Sequence, residues 1–293
     1  MKILVLGGSS FSGRSFIETC ERAGHNVADL SRPNWDMNGN LSARAADLVR
    51  LGFDVVVNFV ALNIVAASWS RAPEYYETNV VGMAKLGDAL IGCWGVRKFL
   101  QISTPEVYGH TGTRLKEGVM FNPSTPYALS RAAADMHLKL LHQQHGFPVM
   151  FTRTVNVYGP GQQPYRIIPR TIDCILRKER LPLEGGGVST RSFIHIRDAA
   201  AAYLRVLEAG KSGETYHIAT ERQVSIRELV SMVCEQMGAR LDEVVKIVPE
   251  RPGKDMNYHL DDAKIRTELG WTDRIPLEAG IAEVIGTFER ALA

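Results

Sequence analysis

Short apolar runs alternate with amphipathic stretches along the first half of the chain. Residues 2–6 and 26–30 form apolar runs, and residues 12–23 between them place their apolar positions with helical periodicity, which predicts strand, helix and strand in succession. Strands that alternate with helices indicate an α/β protein with a doubly wound parallel sheet. The same alternation continues downstream, with strands predicted at 54–59, 97–102 and 148–152 and helices at 73–92 and 127–144.

The regular alternation ends near Gly159. Glycine-rich segments follow at 159–161 and 184–187, and a helical pattern begins at Ser225. This change of pattern predicts a larger sheet domain and a smaller, mainly C-terminal lobe. The predicted division gives residues 1–165 and 191–212 to the larger domain and residues 166–190 and 213–293 to the smaller one.

Composition narrows the range of partners. The chain has 293 residues, with 34 basic against 32 acidic side chains, a balance that predicts neither nucleic-acid nor membrane-surface binding by electrostatics. No apolar run approaches the roughly 20 residues of a membrane span, so we expect no membrane partner. The cysteines have no CxxC spacing and the first residues read as a strand rather than a signal peptide, which predicts a cytoplasmic protein with reduced thiols.

A glycine-rich turn connects the first predicted strand to the first helix. Glycines at such a turn allow a pyrophosphate to approach the backbone and the positive end of the helix, which predicts a dinucleotide site on a Rossmann sheet. Ser10 replaces the middle glycine of the common GxxGxxG spacing, so the motif alone equally describes an ordinary turn; the strand before it and the helix after it favour the cofactor site. The predicted contacts are Gly7, Ser10, Phe11, Ser12 and Gly13.

The end of the second strand bears on the choice of cofactor. An acid there binds the adenosine ribose, whereas an arginine accommodates a 2′-phosphate. Ser31 and Arg32 at this position favour NADP over NAD. Asp29 lies two residues earlier on the same strand face and could bind the ribose of NAD if the register of the strand differs from the predicted one.

Tyr127 and Arg131 are four residues apart in a predicted helix, so both side chains lie on one face. A cation beside a phenol favours the phenolate, whose pKa is otherwise about 10. A phenolate can take a proton from an alcohol. Alone, the pair also describes a helical tyrosine with a solvated arginine.

These motifs together resemble the extended short-chain dehydrogenase/reductase family over nearly the whole chain, most closely its nucleotide-sugar 4,6-dehydratases, epimerases and decarboxylases. The resemblance is carried by the glycine turn, the SerThrProGluValTyrGly strand end, the Tyr127 helix and AsnValTyrGlyPro at 156–160. It implies that the segments 54–61 and 77–80 contribute Ala61 and Asn79 to the cofactor site. It also implies a homodimer built from helices at 74–92 and 127–144.

The resemblance also assigns catalytic roles. It casts Tyr127 as the base at the sugar 4-hydroxyl, Thr104 as the hydrogen-bond partner of the 4-oxygen, and Arg131 as the companion of Tyr127. Glu106 occupies the position of the dehydratase acid that removes the C5 proton, where simple 4-epimerases carry a small or hydroxyl residue. The alternative is a purely structural role, in which Glu106 only caps the next turn.

Two positions depart from the family pattern. The companion of the tyrosine is normally lysine, and Arg131 keeps the charge but not the geometry. Dehydratases place Asp or Ser between the threonine and the glutamate, whereas Pro105 has no side-chain proton to give. This leaves room for 5,6-dehydration, C4 epimerisation or C5 decarboxylation.

The resemblance implies a nucleotide-diphosphate sugar as substrate, held by Asn156, Arg191 and Arg251. The alternative is that Asn156 caps a turn and the arginines are solvated. The sequence has no cluster of His, Cys or acidic residues with the spacing of metal ligands, so we expect no catalytic metal. The sequence therefore predicts an NAD(P)-dependent nucleotide-sugar dehydratase, with a 4-epimerase or decarboxylase as the alternative and a non-catalytic NAD(P)-binding regulator as a lesser one.

Overall fold

The computed structural model describes residues 1–31, 40–93, 95–110, 114–118, 120–250, 257 and 259–292. The strands in this part of the chain are β1 (Lys2–Leu6), β2 (Asn26–Leu30), β3 (Val55–Asn58), β4 (Lys98–Ser103), β5 (Arg114–Leu115), β6 (Val149–Thr154), β7 (Asn156–Tyr158), β8 (Leu181–Glu184), β9 (Thr190–Arg191), β10 (Phe193–His195), β11 (Thr215–Ile218), β12 (Val224–Ser225), β13 (Val245–Val248) and β14 (His259–Leu260). The α-helices are α1 (Phe11–Arg22), α2 (Leu41–Arg50), α3 (Ala72–Tyr76), α4 (Gly82–Ile91), α5 (Pro126–His145), α6 (Ile167–Arg177), α7 (Ile196–Ala209), α8 (Ile226–Gln236), α9 (Leu241–Val244), α10 (Ala263–Leu269) and α11 (Leu277–Leu292).

Six parallel strands form the main sheet in the order β2, β1, β3, β4, β6, β11. Its inner strands are apolar on both faces because helices cover both sides. Ile3 and Val5 of β1 pack into the cluster that contains Phe16 of α1, whereas Leu4 packs on the other face with Leu138 of α5. The predicted doubly wound parallel sheet is therefore confirmed.

The predicted helix at 73–92 is interrupted. Between α3 and α4 the backbone widens into a π-helix over Glu77–Val81, and the buried side chain of Asn79 lies within it. Wide turns of this kind occur frequently at functional sites. A further departure from simple helix is the 3-10 turn Pro105–Tyr108, which follows β4 directly.

A second apolar core lies in the smaller lobe. Ile172 of α6, Leu229 and Val233 of α8, and Ile281 of α11 are buried together there. The proposed domain division stays a prediction, but β11 and α10, which it gives to the smaller domain, pack with the main sheet: β11 pairs with β6, and Ile265 of α10 lies in the sheet cluster.

Candidate active site

The glycine turn is built for close approach to the backbone. Gly7 has a φ of +80°, a left-handed conformation that favours glycine. A Cβ on Gly13 would lie 2.5 Å from the Gly7 carbonyl oxygen, so any side chain there would break the turn. Ser10 is the N-cap of α1, and its hydroxyl accepts a hydrogen bond of 3.1 Å from the Gly13 N–H. Phe11 and Ser12 form the first residues of the helix, where unpaired N–H groups and the helix dipole suit an anion.

The end of β2 is tied to this turn by side chains. The Asp29 carboxylate accepts hydrogen bonds from the Gly8 N–H at 3.0 Å and from the Ser31 hydroxyl at 2.6 Å. The Ser31 hydroxyl in turn accepts a hydrogen bond of 2.8 Å from the Ser9 N–H. An acid therefore lies at the adenosine end of the turn. Arg32, the residue that favoured NADP, is outside the described residues.

The chain brings Tyr127 and Thr104 into direct contact. Thr104 directly follows β4, and Tyr127 lies in the first turn of α5. The Thr125 hydroxyl caps this turn and accepts a hydrogen bond of 3.1 Å from the Ala128 N–H. The Tyr127 phenol, 8% exposed, is hydrogen-bonded to the Thr104 hydroxyl. The Thr104 hydroxyl also accepts a hydrogen bond of 3.3 Å from the Glu106 N–H, which fixes the turn that carries Glu106.

The electrostatics of Tyr127 differ from the expectation of an assisted phenolate. Burial, and secondarily the negative charge of Glu106, raise the pKa of Tyr127 to about 12. Arg131, the bond from Thr104 and the positive charge of Arg166 all act in the opposite direction. The predicted sign of the Arg131 effect is correct, but in the protein alone the phenol stays protonated. The Glu106 carboxylate therefore acts electrostatically on Tyr127.

Arg131 is not a solvated surface arginine. Its side chain is 2% exposed, and one Nη donates to the carbonyl oxygen of Ile102 on β4. Its Nε is buried and has no hydrogen-bond partner. A buried donor without a partner costs free energy, so it points to a ligand oxygen that completes the site. With the bare backbone at Gly7 and Gly13, this orphaned donor shows that the residues present fit a nicotinamide dinucleotide.

Asn79 holds the framework of the site. Its amide oxygen accepts from the Leu62 N–H at 2.9 Å, and its amide nitrogen donates to the Leu62 carbonyl at 3.1 Å and to the Ser130 hydroxyl at 2.9 Å. The loop after β3, which includes the half-buried Ala61, is thereby fastened to the Tyr127 helix. Direct cofactor contacts of Ala61 and Asn79 stay predictions.

Two of the predicted substrate residues lie on the short strands β7 and β9. Asn156 opens β7 and is half-buried, and Arg191 on β9 is 8% exposed, so the alternative of a solvated surface charge does not describe Arg191. Arg251 is outside the described residues.

Arg166 was not predicted. It caps α6, lies 5.4 Å from the ring centroid of Tyr165, and its charge reaches Tyr127; a basic residue soon after the AsnValTyrGlyPro turn was the only sequence signal.

The described residues contain neither a metal-binding cluster nor a membrane-spanning helix. No group of three or more His, Cys, Asp or Glu side chains is arranged to hold a metal ion among them. Within the same ranges, no helix has the length and apolar character needed to cross a bilayer. The expectation of a metal-free enzyme stays a prediction.

The chain as a whole is similar to known proteins. The model of the NAD dependent epimerase/dehydratase family matches residues 3–219. The chain is 33% identical to a dTDP-glucose 4,6-dehydratase of Streptomyces niveus, over 97% of this chain and 92% of that protein. Among solved structures it is similar to the dTDP-glucose 4,6-dehydratase DesIV of Streptomyces venezuelae with NAD bound (TM-score 0.92, 30% identity, 99% of this chain and 97% of that one). It is also similar to a UDP-glucose 4-epimerase of Thermotoga maritima with UDP-glucose (TM-score 0.91, 26% identity, 100% of both chains).

These similarities confirm the predicted class, an enzyme of the nucleotide-sugar dehydratase and epimerase type that uses a nicotinamide dinucleotide. They give the lesser alternative, a non-catalytic regulator, no support. Because the family model covers most of the chain and the Streptomyces niveus relative nearly all of it, the chain belongs to the NAD dependent epimerase/dehydratase family.

Proposed function

We propose that the protein is a nucleotide-sugar 4,6-dehydratase, which oxidises C4 of the hexose transiently and removes water across C5 and C6. The observation that carries this proposal is the position of Glu106, whose charge acts on Tyr127 while its backbone is bonded to Thr104. A 4-epimerase needs acid–base chemistry only at C4, which Tyr127 and Thr104 supply. An additional carboxylate beside them suits a second proton transfer, at C5.

Tyr127 and Thr104 act at C4. The phenol receives the proton of the 4-hydroxyl once it is ionised, and the Thr104 hydroxyl donates to the developing negative charge on oxygen. Arg131 and Arg166 favour this ionisation because their positive charges lower the pKa of Tyr127. A nicotinamide cofactor held by the Gly7 to Gly13 turn and by Arg131 would supply the hydride acceptor.

Glu106 acts at C5. A ketone at C4 acidifies the C5 hydrogen, and the Glu106 carboxylate can take it as a proton while the C6–oxygen bond breaks. Pro105 has no proton to donate to the leaving hydroxyl. The protonated Glu106 can return that proton to the leaving hydroxyl, so water leaves and a 4-keto-5,6-ene forms. With a nicotinamide cofactor bound, the hydride taken from C4 would be returned at C6, and a proton from water, passed through Glu106, would be added at C5 to give the 4-keto-6-deoxy sugar. Asn156, Arg191 and Arg251 are proposed to hold the nucleotide diphosphate, and Arg166 joins them from the site geometry.

Of the two nicotinamide cofactors, NAD is favoured over NADP. The sequence favoured NADP, but the solved DesIV structure contains NAD, and so does a structure of the relative MoeE5. The Asp29 carboxylate beside Gly8 supports the same choice, because it would repel a 2′-phosphate and can accept from a ribose hydroxyl. Competition between NAD and NADP for the purified protein, followed by isothermal calorimetry, tests this choice.

We propose a homodimer through α4 and α5. Leu129, Met136 and Leu140 of α5 are exposed and share one helix face, and α4 packs beside them. An exposed apolar stripe of this kind is typical of a protein interface. Sedimentation should give a dimer that Met136→Glu dissociates, while Leu51→Glu, at an exposed leucine outside the stripe, leaves it intact. A monomeric parent protein would contradict the proposal.

We also place the protein in the cytoplasm, because Cys20, Cys93, Cys174 and Cys234 are all unpaired. Thiols in an oxidising compartment would tend to form disulfides. Fractionation of the native cell with compartment markers tests this location.

The decisive experiment compares the wild type with Glu106→Gln on dTDP-glucose and UDP-glucose. Wild type should form a 4-keto-6-deoxy product that absorbs in alkali and should exchange the C5 hydrogen with deuterated water. Glu106→Gln should abolish both but retain transient reduction of the cofactor, because oxidation at C4 needs only Tyr127 and Thr104. A clean pair of C4 isomers without C5 exchange would show an epimerase instead.

A further inference from the structure

A charged residue lies inside the main sheet directly beneath the active site. Arg153 is on β6, a strand whose six residues are all buried, and the whole residue is only 4% exposed. Arginine is almost never fully buried without partners. Arg153 has three partners. Its Nη2 donates to the Asp135 carboxylate at 3.0 Å, and its Nη1 donates to the Tyr108 hydroxyl at 2.8 Å. Its guanidinium lies 4.8 Å from the ring centroid of Phe121.

One arm of this network runs through Tyr108 to His217. The Tyr108 hydroxyl and His217 Nε2 are 2.8 Å apart, and His217 Nδ1 is 3.1 Å from the Asp261 carbonyl oxygen. Arginine can only donate, so the Tyr108 hydroxyl accepts from Arg153 and must give its own proton to His217 Nε2. His217 therefore carries its proton on Nδ1, donates it to Asp261, and is neutral.

The other arm reaches the two remaining elements of the site. The Asp135 carboxylate also accepts a hydrogen bond of 2.7 Å from the Ser103 hydroxyl. Ser103 directly precedes Thr104, and Asp135 lies on α5 two turns beyond Tyr127. Tyr108 ends the 3-10 turn that contains Glu106. Arg153 thus connects, through one guanidinium, the strand end of Thr104, the helix of Tyr127 and the turn of Glu106.

We infer that Arg153 and Tyr108 are positioning residues that hold the Glu106 turn against the Tyr127 helix, an inference that rests on the proposed role of Glu106. The turn is short, and its two ends are fixed separately. The Thr104 hydroxyl caps its start, and the Tyr108 hydroxyl, between Arg153 and His217, anchors its end. Release of the far end would let the Glu106 carboxylate move while the Tyr127–Thr104 pair stays in place.

The test separates proton transfer at C5 from oxidation at C4. Tyr108→Phe keeps the buried ring but removes the hydroxyl between Arg153 and His217. We expect C5 exchange in deuterated water and kcat to fall about tenfold to a hundredfold, the effect of a small misplacement of a catalytic group. Reduction of the cofactor by the sugar nucleotide and KM should change little, because the network does not hold the substrate.

Tyr203→Phe is the matched control. Tyr203 is also a buried tyrosine, and its ring packs against Phe16 and Phe59 in the sheet cluster rather than on the Glu106 turn. The Tyr203→Phe variant should lose unfolding free energy but exchange the C5 hydrogen at the wild-type rate. Arg153→Lys, which can pair with Asp135 but cannot form the fork to Tyr108, should resemble Tyr108→Phe.

The outcomes are distinct. If wild type exchanges C5 and Glu106→Gln does not, the proposed function stands; should Tyr108→Phe then exchange at the wild-type rate, the positioning role is wrong. An equal fall of C4 oxidation and C5 exchange in Tyr108→Phe would also overturn it, since that indicates general damage. Absence of C5 exchange in the wild type would overturn the proposed function and this inference together.

Discussion

Two buried tyrosine–arginine pairs occur in this protein, and the charges of their guanidinium groups are compensated differently. In the lower pair, Tyr108 and Arg153, the arginine has a carboxylate partner, and the Tyr108 hydroxyl has both a donor and an acceptor. In the upper pair, Tyr127 and Arg131, the arginine donates to one carbonyl, and no carboxylate pairs with it among the described residues. The Nε of both arginines has no partner. Burial raises the pKa of both tyrosines.

The difference concerns how the charge of each guanidinium is compensated. A buried guanidinium that is paired with a carboxylate holds its surroundings in place, because movement would leave a charge unpaired. A buried guanidinium without a carboxylate partner costs stability, and it gains a partner when a ligand oxygen binds it. The upper pair therefore belongs to the chemistry and the lower pair to its support. The following predictions test this division from the largest expected effect to the smallest.

Tyr127→Phe should have the largest effect. It removes the proton acceptor at the 4-hydroxyl, and loss of such a group slows turnover by about a hundredfold to ten-thousandfold. In the part of the chain that the structure describes, the phenol bonds only the Thr104 hydroxyl, so the fold should tolerate its loss. Product formation from the sugar nucleotide gives the rate, and urea unfolding gives the stability. Tyr108→Phe should lose less turnover than Tyr127→Phe but more unfolding free energy. Equal losses of unfolding free energy in the two variants would remove the distinction between the pairs.

The sequence predicted the upper pair and missed the lower one. Tyr127 and Arg131 are four residues apart, a local spacing that fixes their common face, and Thr104 follows a strand whose end was predicted within a residue. Arg153 and His217 come from different strands and meet Tyr108 only through the order of the sheet. The rise in the pKa of Tyr127 was equally out of reach, since it depends on burial and on the approach of Glu106.

Acid should destabilise the fold through two buried histidines, one of which, His217, bonds the Tyr108 hydroxyl of the lower pair. Burial lowers the pKa of His217 to about 3 and that of His195 to about 4, below the ordinary value of 6.5. A group whose pKa is lowered by folding contributes stability that is complete above 6.5 and is lost as the pH falls, because only the unfolded chain binds the proton. The two histidines together should remove about 3 kcal/mol of unfolding free energy between about pH 7 and pH 5.

The pH dependence has its own control. In His217→Gln the amide can accept from Tyr108 and donate to Asp261 without titrating, so about half of this pH dependence should disappear. Urea unfolding across the same range measures it. An unchanged slope in His217→Gln would mean that His217 already carries a proton in the folded protein, contrary to the hydrogen-bond directions assigned above.

Substitution of Arg131 tests whether its positive charge assists the ionisation of Tyr127 in the upper pair. Arg131→Met removes the cation that lowers the pKa of Tyr127, and one further unit of pKa corresponds to about a tenfold loss of phenolate. We expect turnover to fall by about tenfold and its rise with pH to shift to higher pH. Arg131→Lys keeps the charge and should retain most of the activity. A pH profile that is the same in Arg131→Met and wild type would show that the guanidinium serves binding alone.

Thr125→Ala should have the smallest effect, and it acts on both pairs at once. The Thr125 hydroxyl caps α5, the helix that carries Tyr127, Arg131 and Asp135, and loss of such a cap costs about 1 kcal/mol. Ser225→Ala removes the matching cap of α8, in the smaller lobe, at similar cost. If the lower pair holds α5 in register, Thr125→Ala should lower the unfolding free energy as Ser225→Ala does and leave turnover within about twofold, because Asp135 and Arg153 still fix the helix beyond its first turn. A larger loss of turnover in Thr125→Ala alone would mean that the cap, and not the buried ion pair, sets the position of Tyr127.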